Sequence, residues 1–266
     1  MSIFDSFSLA GKVALVTGGA RTLGYDMADA LADAGADLVI TSRELAHAEA
    51  AAEKLRAARG VEVLPLALDV RQHDAVAAAA IQARAWQGHI DVLINNAGGG
   101  IPGRPTDLFA RAPEDIEALI GVNLTGALFC CQEVGRIMAE QRSGKIINIA
   151  SIAGLVGRDR AMYHRTGLTQ QPVDYAAAKA GVIGLTLDMA AYLAPFGVYV
   201  NCISPGGFER GQPPAFVQAY SERTALGRMG RDGIDIKGAA LFLASAASDY
   251  VTGHNLVLDG GFVLWH

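Results

Sequence analysis

The sequence is short of cysteine, aromatic residues and charge, and each shortage removes a class of protein. Only three cysteines, Cys130, Cys131 and Cys202, occur among 266 residues, and none stands in a CxxC pair or beside clustered histidines. That excludes a zinc or iron–sulfur framework and a disulfide-stapled scaffold, so no metal site is expected. Charged residues make up 18% of the chain and the net charge is −5, which is not the basic balance that a nucleic-acid binder needs. No uninterrupted apolar run approaches the roughly 18 residues of a membrane span. The opening MSIFDSFSLAGK also lacks a basic segment followed by an apolar core, so it does not read as a signal peptide. The expectation is a soluble, cytoplasmic protein that binds neither nucleic acid nor membrane.

Apolar residues are plentiful at 51%, and 31 glycines accompany them. This is too much apolar surface for a disordered chain, and it suits helices that lie close against a sheet. Strand-like runs alternate with helical periodicity: VALVT (13–17), DLVIT (37–41), VEVLPLALDV (61–70), IDVLINNAG (90–98), KIINIAS (145–151), VYVNCIS (198–204) and NLVLDG (255–260). Between them the spacing predicts helices from about 23 to 34, 44–58, 75–86, 113–141 and 174–194, then two short helical segments. Such alternation builds right-handed βαβ units and a parallel sheet covered on both faces. With no linker, composition shift or repeat, the whole of 1–266 reads as one domain.

TGGARTLG (17–24) joins the first strand to the first helix. A pyrophosphate-binding turn needs glycine there, because the backbone must bend sharply and the helix N-terminus must offer free N–H groups. At the end of the second strand, where NAD sites usually carry an acid, the chain reads Thr41-Ser42-Arg43. Arg43 and Arg21 suit a 2′-phosphate through their planar donor forks, unless both are ordinary solvated arginines. NADP(H) is therefore expected over NAD(H), with NAD(H) remaining possible.

From about Leu9 to Gly261 the chain resembles the short-chain dehydrogenase/reductase family. The resemblance implies a Rossmann-type doubly wound sheet and assigns Gly18, Arg21, Thr22, Leu23 and Gly24 to the cofactor loop. Thr22 replaces a glycine of the family's TGxxxGxG, so this position is expected to keep a negative φ. Asp69 and Val70 of LDV are placed at the adenine, and Asn96, Ala97 and Gly98 of NNAG beside the cofactor. Pro205, Gly206 and Gly207 match the turn near the nicotinamide.

Two tyrosines compete for the chemistry. A phenol with a pKa near 10 needs a neighbouring ammonium to act at neutral pH, and Tyr175 has Lys179 on the same helical face. Tyr163 has Gly167 at that offset and lies in a polar stretch without helical periodicity. Tyr175 is the expected general acid/base. The resemblance completes a set of Asn123, Ser151, Tyr175 and Lys179. In it Asn123 holds a water of the proton relay, Ser151 orients the substrate oxygen, and Lys179 lowers the Tyr175 pKa and binds the nicotinamide ribose. The implied activity is interconversion of a secondary alcohol and a ketone.

Tyr175 stands 24 positions after Ser151, about twice the separation in many relatives, so the segment 154–173 has to bulge at the mouth of the site. It carries Arg158, Arg160, His164 and Arg165 against one acid, and Arg210 belongs to a substrate lid over about 207–226. Those cations favour a small polar substrate, a sugar, polyol or sugar acid. A solvated loop, or one spent on subunit contacts, remains the plain alternative. A 3-oxoacyl-thioester reductase is the competing enzyme. An inactive NADP-binding regulator and a sugar-nucleotide epimerase or dehydratase fit less well, because the full set of residues is present and the chain ends soon after its last strand. The apolar run at 262–265 suggests a homotetramer, with a homodimer second, unless it folds back on its own subunit.

Overall fold

The structure, a computed structural model, describes residues 2–265. Its strands are β1 (Val13–Val16), β2 (Asp37–Ser42), β3 (Val63–Ala67), β4 (Val92–Asn95), β5 (Gly144–Ile149), β6 (Val198–Pro205), β7 (Phe208–Glu209), β8 (Gly230–Arg231) and β9 (Asn255–Leu258). The helices are α1 (Thr22–Asp33), α2 (Leu45–Arg59), α3 (His73–Gln87), α4 (Pro113–Ile120), α5 (Gly126–Gln141), α6 (Arg160–Arg165), α7 (Val173–Leu193), α8 (Pro214–Ser221) and α9 (Lys237–Ala244). Seven strands form one sheet in the order β3-β2-β1-β4-β5-β6-β9, and every pairing is parallel.

Both faces of this sheet are covered, which is why its strands read as unbroken apolar runs rather than alternating ones. Along β1, Ala14 and Val16 meet Met27 and Leu31 of α1, Leu55 of α2 and Leu243 of α9. Val13 and Leu15 point the other way, toward Val76 of α3, Val134 and Met138 of α5 and Leu193 of α7. The strand order reverses between β1 and β4, so their carboxyl ends open a crevice where doubly wound sheets bind ligands.

The helix expected over 113–141 is interrupted. A single π turn, Gly121–Thr125, separates α4 from α5, with the Gly126 N–H bonded to the Gly121 carbonyl. Two glycines bracket the turn. A β-carbon on Gly126 would stand 2.6 Å from Val70 Cγ2, so α5 starts in close contact with the loop after β3. By length and composition alone, Pro113–Gln141 and Val173–Phe196 are apolar enough to cross a membrane, which the count of uninterrupted apolar runs did not reveal. Each packs one side on the sheet instead, with the polar Asn123, Tyr175 and Lys179 embedded in them.

Candidate active site

The glycine loop is shaped by crowding. Gly18 has φ +62°, and a β-carbon on Gly24 would lie 2.3 Å from the Gly18 carbonyl oxygen, so that position admits glycine alone. The NNAG segment clasps this loop. Asn96 Nδ2 donates to the carbonyls of Thr17 and Gly18, both at 3.0 Å, while Thr17 Oγ1 accepts from the Asn96 and Ala97 N–H groups at 3.0 Å. Leu23 packs partly on the core, so the first turn of α1 is anchored. No side chain caps that turn. Its free N–H groups and the glycine cradle fit a pyrophosphate.

Thr22 departs from expectation. Its φ is +49°, in the left-handed region rather than at negative φ, so the threonine keeps the backbone shape of the glycine it replaces. Arg21 and Arg43 are exposed, and among the described residues neither guanidinium is taken up by an ion pair. Asp69 is less free than its motif suggested. Arg71 Nη2 lies 2.5 Å from Asp69 Oδ2, and its hydrogen bonds hold that carboxyl below the usual range.

The catalytic candidates converge at the ends of β4 and β5. Asn123 is buried in the π turn, where Nδ2 donates to the Gly99 and Leu119 carbonyls at 2.9 and 3.0 Å and Oδ1 accepts from the Gly99 N–H at 2.8 Å. Gly98 leaves room for that amide, since a β-carbon there would stand 2.6 Å from Asn123 Oδ1. Ser151 closes the strand and caps the next turn, its Oγ accepting from the Ala153 N–H at 3.1 Å. A β-carbon on Gly154 would lie 2.7 Å from the Lys179 main-chain carbonyl carbon, so this turn meets α7 backbone to backbone. The Ser151 hydroxyl acts on Tyr175 from this turn, in the direction that lowers the phenol's pKa.

Lys179 is buried, with Nζ 5.7 Å from the Tyr175 ring centroid and donating to the Ile149 carbonyl at 2.7 Å. Burial pulls its pKa down to about 8. Tyr175 moves opposite to expectation, because burial raises its pKa; the lowering influences are the Ser151 hydrogen bond and the Arg158 charge, not Lys179. An ammonium committed to a carbonyl 2.7 Å away is not directed at the phenol.

Two neighbours were missed in the sequence. Asp174, the residue before Tyr175, forms a buried ion pair with Arg111, which also donates to the Pro105 and Asp115 carbonyls at 2.9 and 2.8 Å. It ties the 105–115 segment to the first turn of α7, and its only sequence signal is an acid at a helix N-terminus. Tyr220 Oη accepts from the Gly207 N–H at 2.6 Å, and a β-carbon on Gly207 would stand 2.7 Å from Tyr220 Cζ. Helix α8 thereby rests on the Pro205-Gly206-Gly207 turn.

The insertion is not a uniform cationic wall. It contains the short helix α6, capped by Asp159, so Tyr163 is helical after all. Met162 is only 1% exposed and packs with Phe216, Tyr220, Met229 and Phe262. Tyr163 leans on Phe216 at 5.1 Å between ring centroids. Burying Met162 turns Arg160, His164 and Arg165 to solvent, and Arg210 is paired with Asp232 at 2.5 Å. Of these five expected substrate residues only Arg158 acts on Tyr175, its guanidinium carbon 5.4 Å from the ring centroid.

A nucleotide crevice at the strand reversal, with a serine, tyrosine and lysine at its floor, defines a dinucleotide-dependent oxidoreductase of the doubly wound class. The chain belongs to the short-chain dehydrogenase family, whose model matches residues 12–212. It is 38% identical to the 5-keto-D-gluconate 5-reductase of Escherichia coli K12 over 98% of each chain. A 3-oxoacyl-[acyl-carrier-protein] reductase of Chlamydia muridarum is 35% identical over 95% of this chain and 98% of its own. Among solved structures, a gluconate 5-dehydrogenase from Burkholderia cenocepacia in complex with NADP and tartrate superimposes with a TM-score of 0.88, at 37% identity and over 99% of each chain.

Proposed function

We propose that this enzyme interconverts the ketone and secondary alcohol of a small sugar acid of the 5-keto-gluconate type, with NADP(H). The observation that carries the reaction is Tyr175 set beside the buried Lys179, whose Nζ lies 5.7 Å from the ring centroid, with the Ser151 hydroxyl acting on the phenol. The bound cofactor supplies or accepts the hydride. In the reductive direction Tyr175 gives its phenolic proton to the substrate oxygen while the Ser151 hydroxyl orients that oxygen, and in oxidation the proton returns to Tyr175. Lys179, held on the Ile149 carbonyl beside Tyr175, would bind the nicotinamide ribose, and Asn123 would keep a relay water in place. Gly18, Gly24 and the first turn of α1 hold the pyrophosphate, and Arg21 and Arg43 hold the 2′-phosphate. Asp69 and Val70 flank the adenine, and the 205–207 turn flanks the nicotinamide.

The sugar-acid substrate is supported by the Escherichia coli and Burkholderia relatives, and NADP by the second of these. The thioester reductase of Chlamydia muridarum supports the other reading, reduction of a 3-oxoacyl chain. We further propose a single domain carrying an insertion at 154–173 and a lid at 207–226, assembled as a cytoplasmic homotetramer. The test is steady-state kinetics with 5-keto-D-gluconate and a 3-oxoacyl thioester, each with NADPH and NADH. NADPH-dependent turnover of the sugar acid with little on the thioester is expected. The Tyr175→Phe variant should retain NADPH binding while losing roughly 10²- to 10⁴-fold in kcat. Thioester turnover alone, or a clear NADH preference, would overturn the reading.

A further inference from the structure

We infer that Arg158 is the carboxylate receptor of this site and sets its preference for acids over neutral sugars, an inference that rests on the sugar-acid reading above. The guanidinium is half-buried at the mouth of the crevice, 5.4 Å from the Tyr175 ring centroid. Backbone aims it there: Nη1 donates to the Gln171 carbonyl at 2.8 Å and reaches the Pro172 carbonyl at 3.5 Å, at the point where the insertion returns to α7.

Among the described residues no carboxylate forms an ion pair with it. The ionisable groups acting on Arg158 are Tyr163, Tyr175 and Arg160, with no carboxylate among them. The nearest acid in sequence, Asp159, is committed to capping α6 and to Arg223 at 2.6 Å. The lid arginine, Arg210, already has Asp232. A partly dehydrated cation with no anionic partner costs free energy unless a ligand supplies the charge. A planar fork beside the reacting phenol recognises a carboxylate through paired charge-assisted hydrogen bonds. The acid end of the substrate then lies against the insertion, and its ketone reaches Tyr175 and Ser151.

Tyr163 forms the other side of this receptor, its ring braced by Phe216 and its phenol subject to the Arg158 charge. A polar gate made by one arginine on a braced loop discriminates by charge rather than by chain length. The insertion therefore selects the end of the substrate that does not react.

The experiment compares 5-keto-D-gluconate with L-sorbose, which carries a hydroxymethyl group where the acid has its carboxylate. The readout is the ratio of their kcat/KM values with NADPH. Any effect of Arg158 on Tyr175 itself acts on both substrates and cancels in that ratio. In Arg158→Gln the ratio is expected to fall roughly 10- to 100-fold, mainly through a higher KM for the acid, the scale of a hydrogen bond to a charged group. Arg158→Lys should lie between, because it keeps the charge and loses the fork, and the NADPH Kd should hold in both variants. A ratio unmoved by Arg158→Gln, with wild type active on the acid, overturns this inference and leaves the proposed function standing. Wild type without turnover of 5-keto-D-gluconate overturns both.

Discussion

At the scale of single residues, Lys179 carries the largest electrostatic consequence. It is buried, bonded to the Ile149 carbonyl, and titrates near 8 instead of 10.5 because burial disfavours its charged form. Below pH 8 both folded and unfolded chains hold the proton, and the folded state bears the whole desolvation cost. Between about 8 and 10.5 the unfolded chain binds more protons at this site, so the contribution to stability rises with pH. Above 10.5 both forms are neutral and the cost is gone. The difference in unfolding free energy between wild type and Lys179→Met should therefore increase across pH 8–10.5, by on the order of 2–3 kcal/mol. Denaturant melts of both proteins at pH 7.5, 9 and 10.5 measure it, and a difference independent of pH would mean that Lys179 titrates normally. The same residue explains why Tyr175 could be chosen from the sequence while its pKa could not. The four-residue spacing places the ammonium on the right face, but which acceptor it selects depends on a strand carbonyl that spacing does not encode.

At the scale of elements, the first turn of α1 holds a β-branched residue where the backbone asks for glycine. Thr22 has φ +49° and is exposed, with no capping role that would compensate. A left-handed non-glycine residue costs about 1–3 kcal/mol, and glycine loses about 0.5–1 kcal/mol in chain entropy. Thr22→Gly is thus expected to stabilise the protein by about 1 kcal/mol, a rise in Tm of roughly 2 °C, which calorimetry reads directly. A fall in Tm would show that the threonine hydroxyl compensates its own backbone. The regular elements were legible because their signals are periodic: seven strands and the long helices fall within a few residues of their expected positions. The π turn at 121–125 was not, since a one-residue slip in the hydrogen-bond ladder leaves the apolar spacing of 113–141 almost unchanged. Helix α6 was hidden for another reason. It is six residues long with one buried side chain, Met162, and its partners Phe216 and Phe262 lie far along the chain.

At the scale of the whole molecule, the chain end is joined to the cofactor turn. Phe262 stacks on Tyr220 with 4.5 Å between centroids, and Tyr220 Oη accepts from the Gly207 N–H in the turn assigned to the nicotinamide. Val263 still packs partly on this cluster, but the next two residues do not: Leu264 is 70% exposed and Trp265 66%. Adjacent large apolar side chains left in water favour association, and a closed symmetric oligomer covers them on every copy at once. A tetramer at micromolar concentration is expected by light scattering. The double variant Leu264→Ser with Trp265→Ser should dissociate toward dimers, because exposed Leu187 and Tyr192 on α7 leave a second apolar face intact. Since the altered residues directly follow the Phe262–Tyr220–Gly207 chain, the dimer should also bind NADPH several-fold more weakly at unchanged Tyr175 chemistry. That appears as a raised KM for NADPH with kcat nearly preserved. A wild-type monomer would remove the argument for association, and a dimeric variant with unaltered NADPH affinity would sever the link between the chain end and the turn.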